Sequence, residues 1–192
     1  IIFNGDGYSD EWVAEAERRG LPNIKSMIEA ASTITTDKAV ALFEKFGIFT
    51  RVELESREEI IYETYAKTIN IEALTMIDMA GKDIIPAVAS YAGELANSVI
   101  AIKEAGAGAA AQIEMLLEVD KLLAEAKKAL NTLKEVEAKA SVIADAKEQA
   151  FYYKDVVKVA MDALRAPIDQ LEMVVDSTVW PIPTYGDLMF EV

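Results

Sequence analysis

From residue 51 to about residue 104 the chain offers no loop signal except Gly81 and Pro86, and this constrains the fold more than any other feature. Along the stretch, apolar residues recur at spacings of three and four: Leu54, Ile61, Tyr65, Ile69, Ala73, Met76, Ile77, Ala80, Ile84, Val88, Tyr91, Leu95, Val99 and Ile102. That period lays them on one stripe of an α-helix, whereas a half-buried strand would alternate with a period of two. Thr50 and Glu53 form a capping box at its start, the hydroxyl and the carboxylate each satisfying an amide of the first turn. Pro86 lacks an amide proton and crowds the carbonyl of Lys82, which predicts a kink between Gly81 and Pro86 rather than a stop. A straight rod of this length would reach roughly 80 Å at 1.5 Å per residue. It cannot bury its stripe alone, so the rest of the chain has to supply long partners.

Two are legible. After Gly106-Ala107-Gly108, Leu116, Val119, Leu123, Ala126, Leu130 and Leu133 alternate by three and four in the manner of a packing seam. The seam fades after Val136, and a turn is expected within 137–144, where neither Gly nor Pro marks it. A last long helix then carries Ala146, Ala150, Tyr153, Val157, Ala160, Leu164, Ile168 and Leu171, with Pro167 as a second expected kink. The fold class is therefore all-α: a long antiparallel helical bundle or hairpin of three long helices, the first kinked, with a small N-terminal helical subdomain.

That subdomain, residues 1–48, begins with the turn signal Asn4-Gly5-Asp6-Gly7. Ser9 caps a helix with Asp10 and Glu11 in its first turn, Arg18 and Arg19 in its last and Gly20 beyond. Leu21-Pro22-Asn23 breaks the chain before Ile24, Met27, Ile28 and Ala31 resume helical spacing. A third helix after Thr36 is expected to turn Ala39, Val40, Leu42, Phe43 and Phe46 inward and to stop at Gly47. The long-helix bundle spans 49–178. In the tail, 179–192, Pro181 and Pro183 force their predecessors out of the helical region, and Thr184 is placed to cap one last turn up to Phe190.

Composition narrows the functions. Nineteen basic against thirty-three acidic residues give a formal charge of −14, which leaves no basic stripe for a nucleic acid. The longest uncharged apolar stretch falls short of the roughly 18 to 20 residues that span a bilayer, and no signal peptide is evident. The expectation is a cytoplasmic protein with neither nucleic acid nor membrane as partner. There is no Cys and no His, which removes thiol nucleophiles, Ser-His-Asp triads, HExxH sites and the His-containing di-iron bundles together. The apolar start Ile1-Ile2-Phe3, without Met, reads as the continuation of a longer chain whose preceding part covers these residues.

The remaining candidates are weaker than their structural alternatives. Gly5-Asp6-Gly7 lacks the lysine of a phosphate loop. Glu55 with Glu58 or Glu59, and Asp78 with Asp83, could bind Mg²⁺ or Ca²⁺ through oxygen, yet among so many carboxylates a solvated face is the simpler reading. Asn70 and Glu72 interrupt the apolar run from Thr68 to Met79; they either bond a neighbouring backbone or meet another domain. Tyr152 with Tyr153, and Trp180 with Tyr185, could stack on a ligand but more simply supply buried area. No catalytic, cofactor-binding or metal-binding residue is assigned. Ile1, Ile2, Phe3, Asn70, Glu72, Trp180, Tyr185 and Phe190 are the candidate interface.

Several stretches carry a resemblance. "FNGDGYSDEWVAEAERRGLPNI" (3–24), "LFEKFGIFTRVELESREEIIYETYAKTINIEALTMIDMAGKDIIPAV" (42–88), "FYYKDVVKVAMDALR" (151–165) and "WPIPTYGDLMF" (180–190) resemble, in this order and spacing, the C-terminal part of type III glutamine synthetases. The pieces "KTINIEALTM" and "WPIPTYGDL" are the least generic. The resemblance implies a parent enzyme that condenses glutamate and ammonia through γ-glutamyl phosphate, uses ATP with Mg²⁺ or Mn²⁺, and assembles from hexameric rings. It also implies that the catalytic residues lie upstream, so that this segment holds no cofactor and serves packing and assembly against the upstream catalytic domain. A stand-alone helical scaffold that recruits a partner helix is the alternative.

Overall fold

In a computed structural model, described here for residues 4–190, seven helices and no strand occur among the described residues. The chain divides into two compact units, the second beginning at Thr64. The division falls within one long helix.

The first unit opens with an Asx turn, in which the Tyr8 amide donates to Asp6 Oδ1 at 2.9 Å. Helix α1, Asp10–Arg18, is capped as its sequence predicts: the Trp12 amide donates to Ser9 Oγ at 3.3 Å, and Gly20 takes a φ of +70° that a side chain would disfavour. Ser26 caps α2, Met27–Ala31, and Thr36 caps α3, Asp37–Lys45. Ala16, Ile28, Ala31, Val40, Leu54 and Tyr62 are buried. Leu42 and Phe46, expected inward, are exposed. Helix α3 has nine residues and turns a narrower stripe inward, so Val40 is buried while Ala39 and Phe43 are half-buried. Phe43 instead packs against Phe49 with ring centroids 5.7 Å apart, and the Arg57 guanidinium lies over Phe49 at 4.3 Å.

Helix α4 runs unbroken over Arg51–Glu104. Its capping box forms, with the Thr50 amide donating to Glu53 Oε2 at 2.8 Å and the Glu53 amide to Thr50 Oγ1 at 3.4 Å. These contacts hold the Glu53 carboxyl below its ordinary pKa, the Thr50 amide being the largest cause. Where the sequence predicts a kink, α4 contains a π-helical turn, Ala80–Ile84. By length and composition α4 includes a stretch apolar enough to cross a membrane, 22% of it buried; Val88, Tyr91, Leu95 and Val99 of α4 are buried within the second unit.

The second unit is the three-helix bundle. Helix α5, Ala110–Ala140, extends past Val136, so the turn begins at Ser141 and ends at Asp145, whose carboxylate accepts the Glu148 amide at 2.8 Å. Gln149 Nε2 reaches back to the carbonyl of Ala140 at 3.1 Å, a local closure that explains a turn without Gly or Pro. Helix α6, residues 146–174, carries a π-helical turn at Tyr153–Val157 and passes through the buried Pro167 as regular helix. The irregularity expected at Pro167 thus lies about three turns earlier.

The core has two layers. In one, Ala66, Ala73 and Ala80 of α4 meet Leu130, Leu133 and Ala140 of α5 and Tyr153, Val157 and Leu164 of α6. In the other, Ile84, Val88, Tyr91 and Leu95 meet Val119, Leu122 and Ala126, with Leu171, Val175 and Trp180 closing the end. Each fully buried Leu or Val contributes about 1.5–3 kcal/mol from area removed from water. On α4 the first layer is built from small alanines, and no polar or charged residue is fully buried among those described.

Candidate docking surfaces

The tail combines a buried unpartnered polar atom with exposed apolar side chains. After α6, Asp176 accepts the Thr178 amide at 2.7 Å and its hydroxyl at 2.6 Å; the hydroxyl contact, then the amide, hold the carboxyl below its usual range. Trp180 is buried in the second core layer, yet its Nε1 has no hydrogen-bond partner. The chain then leaves the bundle through Pro181 and Pro183 into α7, Tyr185–Phe190. A second capping box starts this helix: the Thr184 amide donates to Asp187 Oδ2 at 2.8 Å and the Asp187 amide to Thr184 Oγ1 at 3.2 Å. Leu188, Met189 and Phe190 are 68%, 75% and 79% exposed.

A furrow runs between α4 and α6 within the second unit. One end is a cavity of about 340 Å³ lined by Met76, Met79, Ala80, Ile84, Leu164, Arg165, Ile168 and Ile182. It adjoins a second of about 420 Å³, which shares Met76 and Arg165 and adds Ile71, Glu72, Thr75, Lys158, Met161 and Asp162. The cations on its rim are matched: Lys158 Nζ lies 3.8 Å from Asp162 and Arg165 Nε 3.1 Å from Asp169.

The residues singled out from sequence are dispersed. Asn70 is half-buried with its Oδ1 unpartnered, Glu72 is exposed on the furrow wall, Trp180 is in the core and Phe190 lies outside it. Ile1, Ile2 and Phe3 lie outside the described residues, as does the side chain of Tyr185. Of the carboxylate pairs, Asp78 is ion-paired with Lys82 and Glu58 accepts the Tyr62 hydroxyl at 2.8 Å. The described residues hold no group of three or more Asp or Glu able to seat a cation.

Sequence reasoning missed the exposed apolar corner between α3 and α4, where Leu42, Phe46, Ile48 and Val52 face outward, and Ile71 and Leu74 on α4. A signal existed for the latter two. With Ile60 they are spaced by eleven and three residues, a separate stripe roughly 120° around the helix from Ala66 and Ala73.

Fold and surface together define an all-α protein whose second unit is a helical bundle with uncovered apolar surface. Comparison with known proteins narrows this class. The profile of the "Glutamine synthetase C-terminal domain" family matches residues 1–103. A glutamine synthetase of Butyrivibrio fibrisolvens is 39% identical over 194 residues, covering 100% of this chain and 28% of the relative. One of Bacteroides fragilis is 33% identical and the type-3 glutamine synthetase of Dictyostelium discoideum likewise 33%, each over 99% of this chain and 27% of its own length. The chain belongs to the glutamine synthetase family, to the C-terminal region of its type III members, and spans little more than a quarter of the length of these relatives.

Proposed function

We propose that this is the non-catalytic C-terminal helical region of a type III glutamine synthetase, whose parent joins glutamate and ammonia at the expense of ATP in the cytoplasm. Its work is to pack against the upstream catalytic domain and to support assembly into hexameric rings. The observation that carries this is α7. A helix of six residues is far below the ~12–15 residues at which isolated helices become even marginally stable, and it presents three large apolar side chains to solvent. A capping box fixes where such a helix begins, and only a partner surface repays the burial of its side chains. The active-site chemistry of the parent, with its ATP and divalent metal, then resides outside this segment.

The test uses the full-length parent with Leu188→Asp and Phe190→Asp together. Both side chains are exposed here, so helical content is expected to stay unchanged by circular dichroism. Light scattering after size-exclusion chromatography is expected to show smaller assemblies, with glutamine formation lowered in proportion. Full-size rings and undiminished turnover would refute the role.

A further inference from the structure

The furrow between α4 and α6 is a second feature that the bundle itself does not explain. A three-helix core has no need of a methionine-lined cleft. The π turn Ala80–Ile84 widens α4 where Ala80 and Ile84 line the cleft, and π turns of this kind are frequent at functional sites. Ala80 leaves the floor low, while Met76, Met79 and Met161 give walls that can adapt to an entering group. Apart from Arg165, the cavity of about 340 Å³ is lined by apolar residues, and its volume suits one large apolar side chain and its neighbours, as at the anchor pockets of protein interfaces.

We propose that this furrow receives an apolar side chain from the upstream part of the same subunit, clamping the bundle to the catalytic body in cis. The proposal rests on the reading that the chain is the C-terminal region of a longer ligase. Two observations choose this occupant. The match takes 28% of the Butyrivibrio fibrisolvens relative, so about 72% of such a protein lies outside the segment, and a tethered body meets the furrow at a high effective concentration. A second copy of this segment would instead bring another formal charge of −14. The furrow has no surplus cation to offset that repulsion, because Lys158 and Arg165 are matched by Asp162 and Asp169.

The experiment places a benzophenone amino acid at Met79 in the full-length parent, prepared as a mixture of ¹⁴N- and ¹⁵N-labelled subunits, and maps the photo-cross-links by mass spectrometry. Cross-links to residues preceding this segment, with both peptides carrying the same isotope, are the expected result. Cross-links confined to residues 1–192, cross-links of mixed isotope, or no cross-link would each overturn the assignment. In parallel, Ile71→Asp with Met79→Asp is expected to lower the melting temperature of the full-length parent by several degrees; an unchanged melting temperature counts against it. The tail variant reads the assembly role separately. Smaller rings there with no cis cross-link here leave that role standing and remove the furrow, and the converse pattern does the reverse.

Discussion

Leu130→Ala tests the bundle in its first core layer. Leu130 is 0% exposed and belongs to the first core layer, across from the alanines of α4. The substitution removes three buried carbons, worth roughly 2.4 kcal/mol at ~0.8 kcal/mol per methylene. A residual cavity adds to this, because neighbouring helices held by the rest of the seam relax only partly, and Leu→Ala changes in cores cost about 2–5 kcal/mol in all. We expect ~3 kcal/mol, a hundredfold or more in the unfolding equilibrium. For a chain of this size that lowers Tm by about 6–12 °C. Leu117→Ala on the same helix is the matched control, since Leu117 is 64% exposed and loses little on truncation. Urea and thermal unfolding followed at 222 nm measure both. Equal losses at the two positions, or a loss under ~1 kcal/mol at Leu130, would show that α5 is not the middle of the bundle.

Gly81→Ala should stabilise the chain by about 0.5–1 kcal/mol from the lower entropy of the unfolded backbone. The new Cβ would meet Leu130 Cδ2 at 3.6 Å, an ordinary contact, and a fall in Tm would show instead that the π turn depends on glycine. Glu15 is held to a pKa of about 2, first by the Arg18 hydrogen bonds and then by that of Arg19. A depressed carboxylate stabilises the folded form above its ordinary pKa of 4.5 and loses that effect as pH falls toward 2, so Glu15→Gln should flatten the loss of α1 helicity across this window by circular dichroism. Burial, and then the Glu58 hydrogen bond, push the Tyr62 hydroxyl up to about 12. The neutral phenol therefore stabilises the fold below pH 10, and this is lost between pH 10 and 12; Tyr62→Phe should remove that part of the alkaline transition in a titration of phenolate absorbance.

How far the sequence speaks follows from what each signal encodes. Caps were readable at Ser9, Thr36, Thr50 and Thr184 because a capping residue acts on amides within three positions of itself. The inward stripes of α4, α5 and α6 were readable because period and burial coincide in long helices. The turn after Ala140 was misplaced by a few residues because its closure depends on Gln149 reaching back across the loop, a contact that no local pattern announces. Pro167 did not produce the irregularity expected of it, while Tyr153–Val157 produced one without any proline. Leu42 and Phe46 misled because an apolar residue at helical spacing reports only that it avoids water, and the surface that covers it can belong to another part of a longer polypeptide. For the same reason the docking surfaces were only partly legible: Trp180 and Phe190 stood out by residue type, whereas the furrow is a product of how α4 and α6 lie beside one another.

The π turn in α4 accommodates one more residue than a regular helix would over the same rise. Deleting a single residue from 80–84 would remove the residue that the wide turn absorbs, so the turn could close to ordinary α-helix with the stretches on either side still in phase. Val88, Tyr91 and Leu95 would keep facing α5, as Ala66 and Ala73 do. The same deletion in a regular part of α4 would swing everything after it by about 100° about the axis, so this segment is where the length of α4 is least critical.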